Sequence, residues 1–211
     1  MGDAIRAGDM PAQEMAFSTC TAKQGERAQG CKAEHARDMA RGPVPEFARQ
    51  GRQNQRYAET GERLVAGCIP LRRGEGDQVE VMVITSRGGK GWVFPKGGWE
   101  VDEDSCTAAK RETVEEAGVR GELGEQPIGV FHFHSGKQER RQQADKGRCI
   151  AHIYAMNVDE ELAVWPESRE RKRKWCSVQE AADMLRHAWM KEALAEWARQ
   201  NGLTVVLPAP P

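Results

Sequence analysis

The 211-residue chain has no run approaching the ~20 consecutive apolar residues that a membrane-spanning helix needs, so no membrane helix is expected. Net charge is nearly absent as well. The 31 Lys and Arg stand against 32 Asp and Glu, a formal −1, which argues against a protein that coats nucleic acid by bulk electrostatics. The six cysteines, Cys20, Cys31, Cys68, Cys106, Cys149 and Cys176, form no C-x-x-C pair and have no His at zinc spacing, so a zinc site is not expected. No apolar leader core opens the chain, and a disulfide framework is not expected at this length. Asp3, Asp9, Glu14, Glu26 and Glu34 are acidic residues of the kind that transit peptides avoid, which makes the cytoplasm or nucleus the expected compartment. No internal repeat is visible. What is present is 39% hydrophobic and 30% charged residues, the balance of one globular domain with appendages.

Residues 1–54 read as a flexible N-terminal extension, broken at Gly42-Pro43-Val44-Pro45, with transient helix around Ala33–Arg41. A mixed α/β domain is expected over 55–202, followed by a tail over 203–211 whose Pro-rich end cannot continue a helix. Within the domain, Leu64–Ile69, Val79–Ile84 and Trp92–Phe94 read as strands, the first two separated by the turn-like Arg73–Asp77. A helix is expected from Ser105, with Asp104 as N-cap and Gly118 as its stop. Ile128–Phe133, Cys149–Val158 and Glu170–Trp175 are further candidate strands, with a surface loop between the first two. The last element is an amphipathic helix from Val178 to about Gln200, with Leu185, Trp189, Ala193 and Trp197 near one stripe.

On the helix that starts at Ser105, Glu112, Glu115 and Glu116 stand at i, i+3 and i+4 and share a face. Cys106, Ala109, Thr113 and Ala117 share another, suited to packing on a sheet. Carboxylates so close repel, and a hard divalent cation reverses that sign by taking oxygen ligands. The alternative is a solvated acidic face. Two neighbours favour the cation: the turn Lys96-Gly97-Gly98, whose backbone can approach phosphate or metal, and Arg111, placed to orient Glu112.

Gly97, Glu103 and Arg111-Glu112-Thr113-Val114-Glu115-Glu116-Ala117-Gly118-Val119 together resemble the Nudix box, G-x5-E-x7-R-E-U-x-E-E-x-G-U, where U is a bulky aliphatic residue. Thr113 at the first U position is the one departure. The resemblance implies a Nudix hydrolase: an α/β/α sandwich around a mixed β-sheet, with the box as a loop–helix–loop. Such enzymes cleave a diphosphate linked to another moiety with Mg²⁺ or Mn²⁺. On this chain it implies Glu112 and Glu116 as metal ligands, with the Gly97 carbonyl as a further one. Glu115 becomes the proton acceptor or a further ligand; Glu103 holds the box together and Arg111 orients Glu112.

The wider stretch Trp92–Glu100, with Ala108-Ala109, is similar to the diphosphoinositol polyphosphate phosphohydrolase branch, above all to its plant and fungal members. The likeness extends through Arg63–Cys68, Ser86-Arg87, Leu162, Trp165 and Arg171–Trp175. It implies a small, highly phosphorylated substrate gripped by Arg63, Ser86, Arg87, Lys96, Arg171, Lys172 and Arg173, in a protein acting as a monomer. Strand alternation over Arg169–Lys174 would point Arg171 and Arg173 together and Lys172 away. In the Lys137–Arg148 loop, Arg140 and Arg141 are candidates to close over a polyanion and Glu139 for an extra metal ligand. His132 and His134 read as half-exposed strand residues rather than catalysts, and Trp99 as either a pocket wall or core packing. The competing substrates are dinucleoside polyphosphates and inorganic polyphosphate. A nucleotide would call for a base-stacking aromatic, which the sequence does not identify. A reading of another class is a catalytically inactive polyphosphate-sensing module.

Overall fold

The computed structural model describes residues 43–135 and 147–208. The apolar runs become β1 (Arg63–Arg73) and β2 (Val79–Thr85), joined by a turn in which Gly76 and Asp77 take the left-handed conformation. β3 (Trp92–Val93) and β4 (Lys96–Gly98) lead to α1 (Ser105–Ala117), then come β5 (Val119–Leu123), β6 (Gly129–His134), β7 (Arg148–Glu161) and β8 (Arg173–Ser177), and finally α2 (Val178–Met184) and α3 (Ala188–Gln200). The eight strands form one sheet along the path β3-β2-β1-β7-β5, with β4 paired to β1, β6 to β7 and β8 to β2. β1 and β7 run parallel while their other neighbours are antiparallel, so the sheet is mixed.

Helices cover both faces of this sheet. In β7, Tyr154 turns to α1, where its hydroxyl meets Ser105 Oγ at 2.7 Å. Cys149 and Ala151 have the opposite parity and stand opposite Phe133 and Phe131, which pack on Trp189 of α3. Covering on both sides explains why the centre of β1 is buried without alternation, from Val65 to Leu71. The expected α/β/α layering is the observed one.

Both ends of α1 follow the sequence. Asp104 accepts the Thr107 N–H at 2.7 Å, and Gly118 closes the helix at φ 64°, its N–H bonded to the Val114 carbonyl. Three elements differ from expectation. Lys96–Gly98, read as a turn, is a strand paired with Val65–Gly67. β5 was not expected; it is short, and its pairing with β7 shifts register between Arg120 and Gly121, where an added Cβ would lie 1.9 Å from the Asn157 carbonyl oxygen. The single helix over 178–200 is two, because the chain extends at Leu185 and Arg186 gives its N–H to the Trp92 carbonyl at 3.0 Å. That bond ties the helix break to the edge of the sheet.

Candidate active site

The loop before α1 is held by one largely buried arginine. Arg111 donates to both oxygens of Glu103, at 2.6 and 3.0 Å, and to the Gly98 carbonyl at 2.9 Å. Its remaining nitrogen reaches Glu112 Oε1 at 2.8 Å and lies 3.6 Å from Glu115. Glu103 also accepts the Glu100 N–H, and its carbonyl takes the Trp99 indole N–H. Loop and helix are thus locked together by bidentate, charge-assisted bonds. Trp99 belongs to this packing: its ring meets His152 edge-on at 5.3 Å, with the Arg56 guanidinium over it. Thr113, the departure from the box pattern, is fully buried and satisfies its hydroxyl on the Ala109 carbonyl at 2.7 Å.

The three box carboxylates share a nearly dry face. Burial, with Glu116 and Glu115 close by, pushes the Glu112 carboxyl up to about 8. Burial also raises Glu115, against the pull of Arg111, and Glu116, against the pull of Lys96 and Arg171. Glu116 takes the Lys96 N–H at 2.9 Å on Oε2 and Arg171 on Oε1. Glu115 takes the Arg49 main-chain N–H at 3.2 Å on Oε2, while its Oε1 is buried with no hydrogen-bond partner among the described residues.

This donor set suits a hard divalent cation. It is all oxygen, burial raises the pKa of each of its carboxylates, and it includes an orphaned carboxylate oxygen. Gly97 fits the same purpose, since a Cβ there would stand 2.0 Å from Glu112 Oε2, so only glycine lets β4 meet the carboxylate. Among the described residues no three acidic, His or Cys side chains already converge at ligand geometry. A cation would enter by taking oxygens now shared with Arg111, Arg171 and the Lys96 N–H.

The carboxylates floor a cleft of about 750 Å³. Of the expected substrate residues, Arg63, Arg87, Lys96 and Arg171 line it. The other three are not among the residues that line it. Arg173 donates to the Ala117, Gly118 and Leu162 carbonyls and stacks on Trp165 at 4.3 Å, so its donors serve the C-terminal end of α1. Lys172 is exposed, with its main chain paired to Thr85, because β8 begins later than expected. The Ser86 hydroxyl is buried with no hydrogen-bond partner among the described residues. Arg171 lines the cleft but is turned inward, onto Glu116, Glu167 and the Thr85 carbonyl. Glu139, Arg140 and Arg141 lie outside the described residues. The strand end before them, His134 and Ser135, is at the cleft, whereas His132 is an exposed strand residue.

Several lining residues carried no sequence signal. Arg49 and Arg52 come from the stretch assigned to the extension, which is tied to the loop before α1 by Arg49 to Glu100 at 2.7 Å and by the Asn54 carbonyl, which accepts the Val101 N–H at 2.8 Å. Glu167 is a buried fourth carboxylate beside the box, and nothing in its local pattern marks it. Phe133 and Trp189 stack at 4.6 Å and both line the cleft, so an aromatic wall exists after all. The alternation of β6 placed Phe133 on the side opposite His132, but its partner lies in the last helix.

The sequence model of the NUDIX domain matches residues 61–197. The chain is 49% identical over 158 residues to Nudix hydrolase 16, mitochondrial, of Arabidopsis thaliana, covering 71% of this chain and 86% of that protein. It is 43% identical over 166 residues to Nudix hydrolase 13, mitochondrial, of the same plant, covering 72% and 81%. Among solved structures, a C. elegans Ap4A hydrolase binary complex superposes with a TM-score of 0.51 at 22% identity, over 66% of this chain and 97% of that one, a likeness of fold.

Proposed function

The chain belongs to the NUDIX domain family, and on that premise we propose that it hydrolyses the diphosphate group of diphosphoinositol polyphosphates and releases orthophosphate. That it is a hydrolase of a phosphate-containing substrate follows from the family; the inositol substrate is our own reading. The observation that carries it is the lining of the cleft. Arg49, Arg52, Arg63, Arg87 and Lys96 surround the box carboxylates in one small concavity. Such a density of cationic donors suits a compact ring bearing many phosphates, and Arg forks grip phosphate oxygens bidentately.

Glu112, Glu116 and the Gly97 carbonyl would hold Mg²⁺ or Mn²⁺. When bound, the cation polarises the phosphoryl oxygens and acidifies a coordinated water. Glu115, with its orphaned Oε1, takes the proton from the attacking water. The water oxygen bonds to the β-phosphorus, the bridging P–O bond breaks, and the α-phosphate leaves as a monoester. Arg111 keeps Glu112 and Glu115 in register, and Lys96 and Arg63 offset charge on the departing groups. We take the active species to be a monomer in the cytoplasm or nucleus; the mitochondrial names of the two plant relatives make the organelle the alternative, which fractionation of the full chain decides.

A second reading rests on the stacked Phe133–Trp189 wall. It offers a flat apolar surface to a nucleobase, which favours a dinucleoside polyphosphate such as Ap5A or Ap6A. Purified protein with Mg²⁺ is offered 5-diphosphoinositol pentakisphosphate, Ap6A, inorganic polyphosphate and 8-oxo-dGTP side by side. The first substrate should show the highest kcat/KM. Preference for Ap6A, with loss on Phe133→Ala, would replace the first reading with the second, and turnover of none would leave a sensing module.

A further inference from the structure

Arg171 is 8% exposed and all three of its nitrogens are used inside the protein. Nη1 donates to the Thr85 carbonyl at 3.0 Å, Nη2 to Glu116 and Nε to Glu167. Two buried carboxylates therefore share one guanidinium, one from the box and one from outside it. Glu167 is 5% exposed and fixed in place by its own N–H, which bonds to the Glu115 carbonyl at 3.1 Å, and its other oxygen takes the exposed Arg87.

A buried charge that loses its partner is strongly destabilising. A cation on Glu116 would set a divalent charge beside Arg171 at low dielectric, and Arg171, at 8% exposure, has little water to replace the lost carboxylate. It needs a carboxylate that it keeps. We propose that Glu116, Arg171 and Glu167 form an exchange device: Arg171 neutralises Glu116 in the cation-free protein, and Glu167 retains Arg171 when Glu116 is given over to the cation. Glu167 is then a positioning residue for the cation site, acting through Arg171 and not as a ligand. The inference rests on the cation role of Glu116 and is independent of which diphosphate is hydrolysed.

Mn²⁺ binding to the purified full chain without substrate tests it, read by calorimetry or by the spin-resonance signal of free Mn²⁺. Glu167→Gln removes the retaining charge and leaves Arg171 to hold Glu116 alone, so Mn²⁺ affinity falls at least tenfold. Adding Arg171→Gln removes the competitor and returns affinity to within about threefold of wild type. Wild-type affinity in Glu167→Gln overturns the proposal. So does a double variant as weak as the single one, because Glu167 would then be a direct ligand. Wild-type protein that binds no Mn²⁺ would instead sink the cation role itself. A measurement on unmodified protein guards against variants that do not fold: nitrogen NMR of the Arg171 side chain during Mg²⁺ titration. Exchange protection should be lost at Nη2 and kept at Nε. Loss at both or at neither contradicts the exchange.

Discussion

Gly97 sets how closely β4 approaches the acidic face of α1. Gly97→Ala puts a methyl 2.0 Å from Glu112 Oε2 and must drive that carboxylate off the site. We expect Mn²⁺ affinity and turnover to fall at least a hundredfold while the far-UV dichroism of the fold persists; retained Mn²⁺ binding would show that Glu112 is not a ligand. Thr113 makes the contrasting case. Its hydroxyl bonds within its own helix, so Thr113→Val should keep full kcat and shift stability by less than about 1 kcal/mol in urea unfolding. These roles were legible because the box fixes both residue and spacing. Glu167 was not legible, since its place depends on a loop that only the folded chain brings to Glu115 and Arg171.

At the scale of elements, the C-terminal end of α1 is a junction of three segments. Gly118 is left-handed, and a Cβ there would lie 2.6 Å from the Trp165 ring, while Arg173 crosses to the last carbonyls of the helix. Arg173→Ala should therefore cost about 2 kcal/mol of stability in urea unfolding with KM unchanged. A raised KM with unchanged stability would return Arg173 to the substrate. The ends of α1 could be read from Asp104 and Gly118 because caps are local chemistry. The break at Leu185 could not, because the period of Leu185, Trp189, Ala193 and Trp197 runs through it and the bond that opens it is to Trp92, far along the chain. The same non-local pairing hid β4, whose Gly97-Gly98 reads as a turn until β1 supplies its partner, and β5, which is a strand only through its pairing with β7.

For the whole molecule, a net charge of −1 conceals a division of charge. Buried carboxylates of α1 and arginines from β1, the Ser86–Gly91 turn and residues 49–52 meet in one cleft. The division has a pH signature. Glu112 is raised from an ordinary 4.5 to about 8, and Glu115 and Glu116 are raised too. Between those limits the folded, cation-free protein binds more protons than the unfolded chain, so its stability falls as pH rises. A bound cation favours the ionised carboxylates. The gain in Tm from Mg²⁺ should thus be larger at pH 8 than at pH 5.5, and an equal gain at both would show that these groups do not bind it.

The most direct test of the account is the Mg²⁺-dependent rate of phosphate release from 5-diphosphoinositol pentakisphosphate by wild-type protein, Glu115→Gln and Glu116→Gln, each checked for an intact thermal transition. We predict turnover by the wild type and a loss of orders of magnitude in both folded variants. Near-normal rates in both variants would contradict the assignment of the α1 carboxylates as the catalytic centre.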